Sequence, residues 1–283
     1  MILVVGATGT NGRELTSRLV TMGEQVRALV RNPAKAAGTQ LPTIEFMQGD
    51  LGNPASLDAA LHGVEHAFIV TPQDDRFIQW HRNFIEAAKR AGKPHIVRLS
   101  ALGAGDPDSE ILRRHGEADQ LLQTCGLPFT ILQPNSFYQN TFRLVESIKQ
   151  NGAFYLPIKD GRLSMVDVRD IAAVAARTLT GSGHEGMTYQ ITGPEAISYY
   201  DIAATLSKVL GRPVKYVEVP LEAAKENMLR FGMSERMATI MAELYGVFAT
   251  SRYAFTTDVV ARIIGKPPIA FEQFARDFSG TFQ

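Results

Sequence analysis

Gly6, Gly9 and Gly12, with Thr8, Thr10 and Asn11 between them, are the residues of this chain best suited to holding a phosphate. The first turn of a helix carries N–H groups with no partner inside the helix, and the helix dipole is positive there, so the turn attracts an anion. Glycine lets the main chain turn sharply and lets a pyrophosphate come close to it. The setting gives the motif its weight. Ile2 to Val5 read as a short buried strand, and Arg13 to Met22 keep helical spacing, with Leu15, Leu19 and Val20 on one face. Strand, glycine turn and helix in this order open a βαβ unit that binds a dinucleotide. The alternative is a tight turn that binds nothing.

A second phosphate site follows from the end of the next strand. In a dinucleotide fold an acid at that place binds the free ribose diol, whereas an arginine accommodates a 2′-phosphate. Here the strand ends Leu29-Val30-Arg31-Asn32-Pro33, no acidic residue occurs between Gln25 and Ile44, and Lys35 lies nearby. A guanidinium can clamp phosphate through two parallel hydrogen bonds. NADP(H) is therefore favoured, with NAD(H) the lesser option; a solvated surface role for Arg31 is the competing reading. Asp50, followed by Leu51, stands after the third strand, where it could meet an adenine edge or cap the next helix. Thr71-Pro72 and Ser100-Ala101 end the fourth and fifth strands, where ligands bind in open α/β sheets.

Proton chemistry is harder to find. A short-chain dehydrogenase pairs a tyrosine acid with a lysine four residues on, placing both on one helix face. No Tyr-x-x-x-Lys pair occurs in Ser109 to Gln123. His115 holds the approximate place of the tyrosine, with a side chain suited to near-neutral proton transfer. A capping or surface histidine beside Arg113 and Arg114 is the other reading. The remaining histidines lack metal-binding spacing, and Gly181-Ser182-Gly183 lacks the strand-to-helix elbow of a hydrolase. Trp80 and Phe84 read as packing residues, and Cys125 as a small buried residue near a helix end.

The elements that must position these residues alternate apolar strands with amphipathic helices. This is the pattern of an α/β fold, a doubly wound parallel sheet of Rossmann type with a smaller mixed α/β C-terminal region. Strands are expected at Val26 to Val30, Ile44 to Met47, Ala67 to Val70, Ile96 to Leu99 and Phe129 to Leu132. Helices are expected at Pro54 to Leu61, Arg76 to Ala91 and Ser109 to Thr124. Residues 1–134 form the dinucleotide-binding part, with 160–192 returning to it; 135–159 and 193–283 form a substrate-facing region. Within the latter we expect one helix from Ser136 to Gln150, strands near Ala153 to Leu156 and Arg162 to Met165, and helical stretches over Ala223 to Thr250.

Composition sets the outer bounds. Apolar residues make up 45% and charged residues 20%, and formal net charge is zero. That balance offers no electrostatic footprint for nucleic acid or an anionic membrane. No apolar run reaches the roughly 18 residues of a membrane span. A single cysteine excludes an internal disulfide, and a cytoplasmic location is expected.

The chain resembles the NmrA-like, atypical short-chain dehydrogenase group, which contains NAD(P)H-dependent quinone and triphenylmethane-dye reductases and redox-sensing regulators. The segments that carry the likeness are Gly6-Ala7-Thr8-Gly9 to Gly12, Leu29 to Pro33, and Gly126 to Pro134. Val166-Asp167-Val168-Arg169-Asp170-Ile171-Ala172 and Thr192-Gly193-Pro194-Glu195 add to it. The resemblance implies a monomer or weak homodimer with Gly6, Thr8, Gly9, Asn11, Gly12, Arg31, Thr71 and Ser100 near the cofactor. It also implies Asn135 beside the nicotinamide, and Phe137 and Tyr138 beginning the substrate wall. The activity it implies is NADPH-dependent reduction of a quinone, azo compound or triphenylmethane-type dye. A non-catalytic NADP(H)-binding regulator acting through a protein partner is the alternative.

Overall fold

The structure, a computed structural model, describes residues 1–33 and 44–283; Lys35 lies outside the described residues. The apolar runs become strands β1 (Ile2–Val5), β2 (Val26–Val30), β3 (Ile44–Gln48), β4 (His66–Ile69), β5 (His95–Leu99) and β6 (Phe129–Pro134). Later strands are β7 (Ala153–Leu156), β8 (Met187–Ile191) and β9 (Lys215–Glu218). Seven of these form one sheet in the order β3-β2-β1-β4-β5-β6-β8. Strands β1 to β6 pair in parallel, with Val5 opposite both Leu29 and Ile69. Every residue of β1 and β5 is buried, as expected for parallel strands covered on both faces. From β1 the chain lays strands to one side and then, with β4, to the other. Ligands bind at the carboxyl ends of the strands beside such a reversal.

Helix α1 (Thr10–Thr21) follows β1, α2 (Pro54–Leu61) has proline in its first turn, and α3 (Phe77–Arg90) and α4 (Glu110–Gln123) cover later strands. Helix α5 (Val145–Asn151) precedes α6 (Val168–Thr180), which packs against α1 and is buried along most of its length. Beyond it come α7 (Tyr199–Leu210), α8 (Leu221–Arg230) and α9 (Glu235–Ala249). Three short helices, α10 (Val259–Ile264), α11 (Phe271–Asp277) and α12 (Ser279–Phe282), end the chain. No helix among the described residues is long and apolar enough to cross a membrane.

Two compact units result. The first holds Met1–Ala104, Arg114–Pro134 and Val168–Gln190; the second holds Gly105–Arg113, Asn135–Asp167 and Ile191–Gln283. Residues 160–167, expected with the nucleotide-binding part, thus cluster with the second unit. Its core gathers Phe154, Tyr199, Ile202 and Leu206 with the aromatic residues of α11 and α12. The single helix expected from Ser136 to Gln150 is instead a 3-10 segment over Tyr138–Leu144 followed by α5. Phe137 bridges to Val166, and Tyr138 N–H donates to the Val166 carbonyl, so helix cannot start earlier. Thr141 Oγ1 then donates to the Tyr138 carbonyl at 2.7 Å, competing with a regular helix. Arg162 to Met165 forms no strand beyond a bridge from Leu163 to Ile197.

The glycine turn divides its labour. Gly6 has φ +83°, and a Cβ there would lie 2.6 Å from the Val70 carbonyl oxygen. At Gly12 a Cβ would lie 2.1 Å from the Gly6 carbonyl oxygen, so only glycine lets α1 sit so close to the end of β1. At Gly9 the nearest atom would be 3.4 Å away, an ordinary contact. The fold needs Gly6 and Gly12 but not Gly9. Gly12→Ala should therefore lower the free energy of unfolding by about 1–3 kcal/mol or more. Gly9→Ser, with a residue favoured at a helix N-cap, should stay within about 1 kcal/mol of the parent. Urea midpoints of the two variants measure the difference.

Candidate functional site

Four strands of the first unit end side by side around a cavity of about 400 Å³, a volume suited to a small-molecule ligand. Gly6, Thr8 and Gly9 line it after β1, and Leu29, Val30 and Arg31 line it from the end of β2. Gly49, Asp50 and Leu51 follow β3, while Val70, Thr71 and Pro72 follow β4. Trp80 of α3 completes the wall.

The end of the cavity at β1 is built for an anion. Gly9 is the N-cap of α1, no side chain caps that helix, and its first turn holds no acid. Its leading N–H groups are thus not spent on a capping side chain. Gly9 N–H donates to the Gly6 carbonyl at 3.0 Å, and Arg13 Nη2 donates to the Thr8 carbonyl at 3.1 Å, fixing the turn. The bare Cα of Gly9, which the fold does not require, leaves room for a ligand to approach. Arg31 is exposed at the cavity, and its guanidinium pairs with no described residue. Asn11 Oδ1 and Thr71 Oγ1 are buried without a hydrogen-bond partner among the described residues. These features fit a dinucleotide with a second phosphate. Asp50 lines the cavity but does not cap α2: its Oδ1 accepts from Gly52 N–H at 2.6 Å, ahead of the Asn53 N-cap, and no side chain caps that helix.

Beyond Pro72 lies a polar cluster that sequence reading did not assemble. Arg98 on β5 is fully buried. Its Nη1 is bonded to Asp119 Oδ1, and Nη2 lies 3.1 Å from His115 Nδ1. Asp119 Oδ2 accepts from Ser100 Oγ at 2.7 Å and from Gln133 Nε2 at 3.0 Å. Burial raises the Asp119 carboxyl above its ordinary range against the pull of Arg98, and it lowers Arg98 in turn. A guanidinium only donates, so Nδ1 of His115 accepts and Nε2 carries the hydrogen. The Gln73 side-chain amide lies 3.0 Å from Nε2, and the same accounting turns its oxygen towards the ring. Burial, then the charge of Arg98, holds the His115 pKa well below the ordinary histidine value. His115 is thus a neutral, oriented imidazole.

The other expected positions divide. Thr10, Asn11 and Gly12 begin α1 without lining the cavity, and Ser100 is committed to Asp119. Asn135 belongs to the second unit, where Nδ2 donates to Ser164 Oγ at 2.7 Å and to the Tyr253 carbonyl at 2.8 Å. Phe137 is half-buried in that unit. Tyr138 is a correction. It is 0% exposed, and its ring packs on Phe271 and Phe274, so it cannot line a substrate wall. Trp80 reaches the cavity although it reads as packing, whereas Phe84 lies in the core. Cys125 is half-buried against the first unit's core. Among the described residues no group of three His, Cys, Asp or Glu side chains could hold a metal ion.

The sequence model of the NmrA-like family matches residues 1–262. This chain belongs to the NmrA-like family. It is 42% identical to an NAD(P)H azoreductase of Xenophilus azovorans, over 100% of this chain and 99% of that relative. Quinone oxidoreductase 2 of Escherichia coli is 30% identical over 86% of each chain. Among solved structures, an NADPH-dependent quinone oxidoreductase from Escherichia coli complexed with NADPH superposes with TM-score 0.90 at 29% identity, covering 100% of both chains. The Citrobacter sp. triphenylmethane reductase complexed with NADP(H) gives 0.87 at 26% identity, covering 98% of this chain and 99% of that one.

The buried imidazoles give this NmrA-like protein a pH signature. Burial, and then Arg98, pushes His81 down to about 3, and burial lowers His95 and His115 as well. The unfolded chain protonates these rings near the ordinary histidine value of about 6.5, whereas the folded chain does not. Stability is therefore complete above about pH 6.5 and falls below it, by up to about 1.4 kcal/mol per pH unit for each ring. Urea midpoints at about pH 7.5 and about pH 5.5 should show the loss, and His81→Leu should make it smaller while the share of His95 and His115 remains.

Proposed function

We propose that this protein is an NADPH-dependent reductase that passes hydride directly to a planar, electron-poor acceptor such as a quinone, an azo compound or a triphenylmethane-type dye. The observation that carries the reading is the cavity of the first unit. A glycine that the fold does not require borders it, and an arginine unpaired among the described residues stands at its edge. The full-length likeness to an azoreductase and to quinone and triphenylmethane reductases supports the acceptor class. NADPH, when bound, supplies the hydride.

The protein's own groups bind and orient. The turn from Gly6 to Gly9 and the start of α1 hold the diphosphate, and Arg31 holds the 2′-phosphate. Thr71 and Pro72 border the ribose side of the cavity, and Phe137 is our proposed contact for the acceptor. His115 does not deliver a proton at neutral pH, because it is already neutral and its hydrogen is directed at Gln73. Strongly electrophilic acceptors suit such a site, since orientation and proximity supply most of the rate and water can supply the proton. The single cysteine suits a reducing compartment. We propose a cytoplasmic monomer or weak homodimer.

Oxidation of NADPH on addition of quinone, azo and triphenylmethane acceptors tests the reading. Steady turnover supports it; tight NADPH binding with no turnover across the panel would replace it with a non-catalytic regulator. Arg31→Glu should weaken NADPH binding by about 2–4 kcal/mol while changing NADH binding far less. Equal loss for both cofactors would remove the 2′-phosphate role. His115→Ala should lower kcat by less than about tenfold, well short of a general acid's contribution, and leave the rate without an inflection near the histidine range.

A further inference from the structure

Trp80 is the only tryptophan in the chain. It occupies the fourth position of α3, is 7% exposed, and contributes to the cavity wall. The Arg76 guanidinium lies over its ring, 4.9 Å from the centroid, and is itself held by Asp74 through Nε at 3.0 Å and Nη2 at 3.3 Å. The indole Nε1 is buried and has no acceptor among the described residues. A Cβ built on Gly52 would stand 3.9 Å from Nε1 and 3.0 Å from Asp50 Oδ1. The indole N–H therefore lies beside the turn that follows β3. Helix α3 also grips this turn directly, since Asn83 Nδ2 donates to the Leu51 carbonyl at 2.8 Å.

Along the cavity the anion-binding turn lies at β1, Arg31 at β2, and Trp80 with Asp50 and Leu51 beyond. A ligand with its diphosphate on the turn and its 2′-phosphate on Arg31 carries its base on the far side of that ribose. The wall there is aromatic. Aromatic side chains bind nucleobases through their faces, and an orphaned buried donor gains from a ligand that brings an acceptor. A purine offers such a face, and the rest of the nucleotide offers oxygen acceptors.

We propose that Trp80 is the side chain that recognises the adenine of the dinucleotide. The base packs on the indole, whose tilt Arg76 sets, while Nε1–H, which points outward in the plane of the ring, is left to an acceptor elsewhere on the ligand. This assignment rests on the dinucleotide reading given above. It makes the base contact a property of α3 rather than of the strand-end loops alone.

Because Trp80 is the sole tryptophan, the wild-type protein reports on the assignment. Its indole emission is followed while 2′,5′-ADP, the adenosine half of NADP, or nicotinamide mononucleotide, the other half, is added. NADPH binding is followed separately by the emission of its nicotinamide. Saturable change in Trp80 emission with 2′,5′-ADP, and none with the mononucleotide, is expected. Trp80→Leu should raise the Kd for 2′,5′-ADP about tenfold or more, the scale of one lost base stack, and Trp80→Phe, which keeps a ring, should raise it less. If 2′,5′-ADP displaces NADPH while Trp80 emission stays constant, or if Trp80→Leu keeps the parental Kd, the assignment is wrong and the cofactor reading stands. If NADPH does not bind at all, both fall together.

Discussion

A guanidinium removed wholly from water must be answered where it stands, and the centre of the first unit is arranged around that demand at Arg98. Asp119 comes from α4, Gln133 from β6 and Ser100 from the end of β5, so one carboxylate ties together two adjacent strands and the helix between them. Breaking such a pair by removing one partner costs about 3–5 kcal/mol in proteins generally. The second amino group of Arg98 then dictates the state of His115, and His115 reaches the chain beyond Pro72 through Gln73. Phe77 closes the cluster, with its ring edge-on to the imidazole at 5.2 Å.

That arrangement bears on the chemistry. A histidine that could have stood in for a tyrosine acid is held neutral by its burial and, after that, by the cation beside it. Under the proposed function the site binds a dinucleotide and takes no proton from this helix. Acceptors that are driven by electrophilicity make the smallest demand on such a protein. The division among Gly6, Gly9 and Gly12 fits the same picture, with two glycines spent on geometry and one left open to a ligand.

Legibility in the sequence follows the range of the interactions involved. That the turn after β1 and Arg31 after β2 stand at one set of strand ends was readable, because it follows from a few adjacent residues. Strands β1, β2 and β4 to β6 were readable because burial on both faces writes itself as an apolar run, whereas the edge strand β3, with no fully buried residue, was marked only by Ile44, Phe46 and Met47. Arg98 was not, since its partners stand 17 and 21 residues away on another element. Trp80 looks like any large residue on a buried helix face until β3 and its turn are brought beside it. Tyr138 misled for the opposite reason: the family resemblance implies a wall there, but the bridge from Phe137 to Val166 turns the next residue into the core. The closing helices did leave a signal, in Phe271, Phe274, Phe278 and Phe282 at spacings of three and four residues.

Helix α1 rests on α6, and Arg18 Nη2 reaches the Arg169 carbonyl at 3.5 Å across a separation of 151 residues. A ribosome adding about 5–20 residues per second leaves the inner face of α1 without its partner for roughly eight to thirty seconds. Strand β8, at the border of the same sheet, arrives later still. The most local and most legible part of the chain is therefore made first and enclosed last. Contacts between parts so distant along the chain slow folding. The nascent protein's exposure to aggregation or to chaperones is thus set by the emergence of α6 rather than by anything in the glycine turn.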